Sequence, residues 1–305
     1  MSKVLITLVG PTAVGKTALA IKLAKYYGSE IVSADSRQFY KELNIGTAKP
    51  SIHELSLVKH HLIGNISVSE EYNISDFEKD ATNSINKAFK KNNHVILVGG
   101  SGLYINTVLY GLDKVPKVDI SVRKKLNKEF DNNGIEKLVK KLKKLDPKIV
   151  KSIDLNNHRR IIRALEVCIS TNKPYSSFLK TSIKKPKYNS IIIGLNLNRE
   201  NLHSRINKRV DQMIDNGLVN EVKSLKIYEF YNSLNTIGYT EIFNYLNEKS
   251  TLENAIEKIK TNSRRYAKRQ ITWFKSNQNI KWFTDEYNFN EIIDVIDKFS
   301  TQQLV

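Results

Sequence analysis

The densest chemistry in the chain lies in the run Gly10, Pro11, Thr12, Ala13, Val14, Gly15, Lys16, Thr17, which fits G-x-x-x-x-G-K-[ST] in full. Its glycines let successive backbone N–H groups converge on phosphate oxygens, and the helix that follows adds the positive end of its dipole. Lys16 neutralises a terminal phosphate, and the Thr17 hydroxyl is the expected ligand for Mg²⁺. Any pyrophosphate group satisfies this geometry, whether or not a nucleoside carries it.

Two more residues bear on the same chemistry. Asp35 ends the apolar run "EIVSA". It reads either as a cap or outer Mg²⁺ partner, or as a general base beside the phosphate cleft. Ser101, in "GGSGLY", reads either as a cleft-lining hydroxyl or as a turn former. A GTP switch is excluded, because Asn172-Lys173-Pro174-Tyr175 lacks the aspartate of a guanine reader. The "DNNG" beginning at Asp131 lies between basic helical segments and reads as a chance turn. After "VILV" the chain continues with Gly99 and Gly100, so only "EIVSAD" supplies a carboxylate at a strand end.

These residues need a scaffold that brings loops together. Residues 3 to 9 read as a buried strand, and Leu19, Ala20, Leu23 and Ala24 recur at helical spacing over Lys16 to Tyr27. "EIVSA" is a second strand; Phe77, Ala81, Ile85 and Ala88 form the stripe of a helix with Ser75 as its N-cap; "HVILV" is a third strand. That alternation predicts an α/β fold with a parallel sheet, a P-loop NTPase-like core whose ligands collect at the carboxyl ends of the strands. From 112 to 188 basic amphipathic helices replace it, which predicts an inserted all-helical domain. "NSIIIGLNL" then returns to the sheet, so 1–111 and 189–305 form the core, with a helical C-terminal part.

Charge points to the partner. The 305 residues hold 49 Lys+Arg against 31 Asp+Glu, a formal net charge of +18, which favours a polyanion such as nucleic acid. Arg159, Arg160 and Arg163 lie on adjacent turns of one helix flanked by Ile161 and Ile162. Further on, "RRYAKRQITWF" mixes Arg264, Arg265, Lys268 and Arg269 with Tyr266, Trp273 and Phe274, a combination that grips phosphates and stacks on unpaired bases. The single cysteine, Cys168, sits in an apolar run as a core thiol and excludes a disulfide framework or a multi-cysteine zinc site. No stretch reaches the roughly 18 apolar residues that span a bilayer, so the expectation is a cytoplasmic protein without a membrane partner.

The blocks "GPTAVGKTALA", "SADSRQFY", "IGTAKP", "GGSGLY", "NNHRRIIRALEV", "RINKRVDQMIDNGLVNEV", "IGYTEI" and "YAKRQITWF" resemble, in order, those of the tRNA dimethylallyltransferases, also called tRNA isopentenyltransferases. The resemblance implies transfer of a five-carbon prenyl group from dimethylallyl diphosphate to N6 of adenosine 37 beside the tRNA anticodon, by an enzyme expected to act as a monomer. It implies that Asp35 is the catalytic base, that Ser101 and Arg209 belong to the catalytic group, and that residues 10–17 hold the diphosphate. It assigns tRNA contacts to Asp35, Ser36, Arg37, Gln38 and Ser101, to Arg123, to Arg159, Arg160, Ile161, Ile162 and Arg163, and to Lys268, Arg269, Gln270 and Lys275. The family usually has threonine where this chain has Ser101, which keeps the hydroxyl without its methyl group. Some relatives carry a C-terminal zinc finger, which one cysteine cannot build. A nucleoside or RNA kinase and a nucleotide-sensing RNA-binding protein are the rival readings of the same loop.

Overall fold

The computed structural model describes residues 3–179, 185–284 and 287–302. The chain divides into two compact units, Leu112–Lys185 and the rest. The larger unit opens with β1 (Val4–Val9), a glycine loop and α1 (Lys16–Tyr26). It continues through β2 (Ile31–Ser33), α2 (Ile52–Leu57), β3 (His60–His61), α3 (Ile74–Ala88), β4 (His94–Gly99) and α4 (Gly102–Tyr110). The smaller unit holds α5 (Ile120–Leu145), α6 (Pro147–Val150) and α7 (His158–Thr171). The larger unit then resumes with β5 (Ser190–Leu195), α8 (Arg199–Asp215), α9 (Leu218–Ser224), α10 (Tyr239–Leu246), α11 (Leu252–Lys275), β6 (Ile280–Phe283) and α12 (Phe289–Gln302).

The strands form one parallel sheet in the order β3-β2-β4-β1-β5-β6. Side chains alternate between its faces, and helices cover both, which is why the central strands read as unbroken apolar runs. Val4, Ile6 and Leu8 of β1 pack with Leu19 and Leu23 of α1 and Ile292 and Ile296 of α12. Leu5 and Val9 face Phe77, Ala81 and Ile85 of α3 and Ile105 and Val108 of α4. A third cluster seats Phe39 and Leu43 against Leu218, Val222, Tyr239, Ile242 and Ile259. Val9 pairs with both Gly99 and Gly194, so the carboxyl ends of β1, β4 and β5 lie side by side.

Local details correct several expectations. The N-cap of α3 is Asn73 rather than Ser75: its side chain accepts from the N–H groups of Ser75 and Asp76, and Asp76 completes a capping box. The second unit boundary falls at Lys185/Pro186 rather than 188/189, since the Lys187 N–H donates to Leu109 O at 2.7 Å and Tyr188 meets Phe89 within the larger unit. "DNNG" lies inside α5, where Gly134 at φ 71° breaks the helical path. The C-terminal part also contributes a strand, β6, too short to show a period. In the smaller unit Leu126, Leu138 and Leu142 of α5 pack on Ile161, Ile162 and Leu165 of α7. Cys168 is buried, its sulfur accepting from the Tyr175 N–H.

Candidate active site

The glycine loop adopts backbone angles that its sequence was chosen to permit. Gly10 has φ 147°, and a Cβ there would lie 2.4 Å from Leu195 O, so no other residue fits against β5. Gly15, at φ 104°, starts α1 without a side-chain cap. Among the described residues, the backbone N–H groups of Ala13 through Thr17 find no protein partner. They form an anion-binding concavity at a helix N-terminus.

The cations converge on the same place. Lys16 Nζ donates to the carbonyls of Gly10 and Pro11 at 3.0 and 2.7 Å. Arg209, reaching in from α8, donates through Nη1 to Thr12 Oγ1 at 3.2 Å. Although the Lys16 side chain keeps some surface, its ammonium is enclosed: burial first, and then repulsion from Arg209, bring its pKa down to about 7 against the pull of Asp35. Burial likewise lowers the Arg209 pKa, with Asp35 opposing. Asp35 stands just beyond β2, where its Oδ1 accepts from the Arg37 N–H at 2.9 Å and more distantly from that of Gln38. Oδ1 thus closes an Asx turn; among the described residues no helix begins here for it to cap, which corrects the N-cap alternative. Among the described residues Oδ2 has no hydrogen-bond partner and is free to accept a proton.

Hydroxyls and a clamped loop complete the cleft. Ser101 Oγ donates to Ser36 Oγ at 3.3 Å, and Tyr266 borders the same cleft, its phenol pKa raised by burial and by Asp35. Gln38 Nε2 donates to the carbonyls of Thr47 and Ala48, which line one wall. That wall is fixed from a distance by Glu221, whose carboxylate accepts from the N–H groups of Asn44, Ile45 and Gly46 and from the Tyr239 hydroxyl. The open cleft has a volume of about 330 Å³. It is bordered by residues 12–17, Asp35, Gln38, Gly99, Gly100, Arg209, Tyr266 and Gln270.

The donor set suits a hard cation held largely by its ligand. The cleft offers the Thr17 hydroxyl with Asp35 and Glu54 as its acids, and the described residues hold no cluster of three metal-ligating side chains. Mg²⁺, which takes few protein ligands and keeps phosphate and water oxygens, fits such a site.

Some expected contact residues turn out to have other work. Gln270 is buried, its Oε1 accepting from Thr12 N–H and its Nε2 donating to Gly100 O, both at 2.9 Å, so its side chain is closed to a macromolecule. Ile161 and Ile162 lie in the core of the smaller unit, and Phe274 in that of the larger, which removes all three side chains from any RNA-contacting surface. Arg37 spends its guanidinium on the carbonyls of Asn232, Ser233 and Asn235. Arg123 and Arg163 both bind the fully buried Glu166 at 2.6 Å. Arg159, Arg160, Lys268, Arg269 and Lys275 remain exposed. Sequence reasoning missed the Thr12–Arg209 contact and the Glu221 clamp, since both join segments far apart in the chain.

A glycine loop between strand and helix, with a carboxylate at the neighbouring strand end and buried cations opposite, has the geometry of a P-loop α/β site able to hold a phosphate group. A family model described as IPP transferase matches residues 38–277, more than half of the chain, and the chain belongs to that family. It is similar to the tRNA dimethylallyltransferase of Christiangramia forsetii, 49% identical over 297 residues that cover 97% of this chain and 98% of that one. A tRNA isopentenylpyrophosphate transferase structure from Bacillus halodurans is 40% identical, with a TM-score of 0.73, covering 100% of this chain and 97% of that one. A eukaryotic dimethylallyltransferase acting on tRNA aligns with a TM-score of 0.82 at 28% identity, covering 99% and 80% respectively.

Proposed function

We propose that this enzyme transfers the dimethylallyl group of dimethylallyl diphosphate to N6 of adenosine 37 in tRNA, releasing diphosphate. The observation that carries the reading is the opposition, inside one cleft, of a free carboxylate oxygen on Asp35 to the unpartnered loop amides with Lys16 and Arg209. The exocyclic amine of adenine is a weak nucleophile because its lone pair is delocalised into the ring. As it forms a bond to C1 of the prenyl group, Asp35 Oδ2 takes the amine proton. The C1–O bond breaks, and its electron pair leaves with the diphosphate. The amides of residues 13–17, Lys16 and Arg209 meet that growing negative charge, with Ser101 and Tyr266 bordering the amine. Mg²⁺, held through Thr17, supplies further charge neutralisation when bound.

The adenosine has to leave its stack, at a cost of a few kcal/mol that contacts elsewhere offset. Arg159, Arg160, Lys268, Arg269 and Lys275 supply them as phosphate contacts to the anticodon arm, and Arg123 and Arg163 add the donors that Glu166 leaves free. The protein works as a monomer in the cytoplasm; among the described residues no helix is long and apolar enough to cross a membrane.

The test is incubation of purified protein with unmodified tRNA, Mg²⁺ and dimethylallyl diphosphate, followed by nucleoside mass spectrometry, with ATP replacing the prenyl donor in a parallel reaction. Prenylated adenosine at position 37 in the first reaction alone is the expected result. Phosphate transfer from ATP with no prenylation would return the loop to kinase chemistry.

A further inference from the structure

We infer that Gln270 is a positioning residue for the diphosphate site, linking the loop of β1 to the loop of β4 by its side-chain amide. Gln270 projects from α11 on its buried stripe, one turn from Ala267 on one side and Phe274 on the other. Its amide makes two opposed bonds of 2.9 Å, accepting from Thr12 N–H and donating to Gly100 O. A primary amide satisfies both backbone groups at once, its oxygen supplying the acceptor that one needs and its nitrogen the donor that the other needs. The fit is close: a Cβ on Gly100 would stand 2.2 Å from Gln270 Nε2.

The consequence is carried by Thr12. Its N–H is turned toward Gln270, away from the concavity formed by the amides of residues 13–17, and its hydroxyl accepts from Arg209 at 3.2 Å. Fixing Thr12 therefore fixes the first corner of the loop and the residue on which Arg209 rests. The carbonyls of Gly10 and Pro11, which precede Thr12, hold Lys16. One buried amide thus sets the orientation of both cations that face the anion. Losing it leaves two backbone groups unsatisfied and lets that corner turn.

This inference rests on reading the loop as a diphosphate holder, and its test uses inorganic pyrophosphate so that the prenyl reaction can fail independently. Calorimetric titration of the Mg²⁺-loaded protein with pyrophosphate should show about tenfold weaker binding for Gln270→Met, a variant of similar length without the amide. The KM for dimethylallyl diphosphate should rise in parallel, while the tRNA dissociation constant and its dependence on salt stay as in the wild type. Gly100→Ala, which keeps the glutamine and displaces its amide, should give the same loss and carries the test if Gln270→Met does not fold. Lys258→Ala, on the exposed side of α11, should leave pyrophosphate affinity unchanged. Pyrophosphate affinity within twofold of wild type in the folded variants would overturn the inference, as would a shifted tRNA salt dependence for Gln270→Met. A wild-type protein that binds pyrophosphate but does not prenylate tRNA would reject the proposed reaction and leave the role of Gln270 standing or falling on the same titration.

Discussion

Both units hold a pair of basic side chains close together, and they treat that charge in opposite ways. In the smaller unit Arg123 and Arg163 share the carboxylate of Glu166, which has no solvent exposure, through three bonds of 2.6 Å. In the larger unit Lys16 and Arg209 repel each other, and Asp35 attracts both without forming an ion pair with either among the described residues. Both count two cations to one carboxylate; the first is complete in pairing, since Glu166 accepts from both guanidiniums, and it stabilises its own helices. In the second neither cation is paired with the carboxylate, so its desolvated charges would attract a phosphate group more strongly than exposed ones.

The sharpest way to break this comparison is to remove the carboxylate on the incomplete side. Asp35→Ala should lower kcat by about 10²–10⁴-fold, the range for losing a positioned base, while tRNA affinity measured by filter binding stays within about twofold. Equal losses in rate and tRNA affinity would make Asp35 a binding residue instead.

Next comes the complete side. Glu166→Ala should lower unfolding stability by about 1–3 kcal/mol in denaturant titration; this is below the usual figure for a broken buried pair because both guanidiniums reach solvent. Lys16→Met should instead leave the melting temperature of the ligand-free protein unchanged or raised at pH 7 and below. A matching loss of stability in both variants would erase the distinction between the two sites.

A pH series sharpens it further. Lys16 releases its proton near pH 7 when folded and keeps it up to its ordinary value of 10.5 when unfolded. Between those limits the unfolded chain binds the extra proton, so the stability of the ligand-free protein should rise with pH through that window. Lys16→Met should flatten that rise in thermal melts. Diphosphate binding above pH 7 should correspondingly take up protons, visible as a buffer-dependent heat in calorimetry.

The smallest effects belong to the exposed cations. Arg159→Ala should weaken tRNA binding a few-fold and reduce the slope of log K against log salt by about 0.7, without altering kcat. Arg163→Ala should change that slope less, since its guanidinium is already committed to Glu166.

What the sequence reveals and conceals follows from the same contrast. The loop, Asp35 and the parallel core were legible because glycine spacing and unbroken apolar strands are local signals. Basic residues in α7 and α11 were legible as charge, but not their division of labour, because a guanidinium facing water and one facing a buried carboxylate look alike in one dimension. A weak signal did exist. Gln270 and Glu166 both occupy positions on the apolar stripes of their helices, where a polar side chain is expected to have a buried partner. The identity of that partner depends on register between distant segments: Thr12 is 258 positions from Gln270.

The strand order carries one last consequence, for synthesis. β1 lies at the middle of the sheet, but its neighbour β5 is translated only after the entire helical unit, and Arg209 and Gln270 come later still. A ribosome-bound chain therefore displays the finished glycine motif long before Arg209 and Gln270 exist to join it, and until then the loop stands without its second cation and its buried amide. The same holds for any gene fragment that ends before Arg209: it would carry the signature without the chemistry.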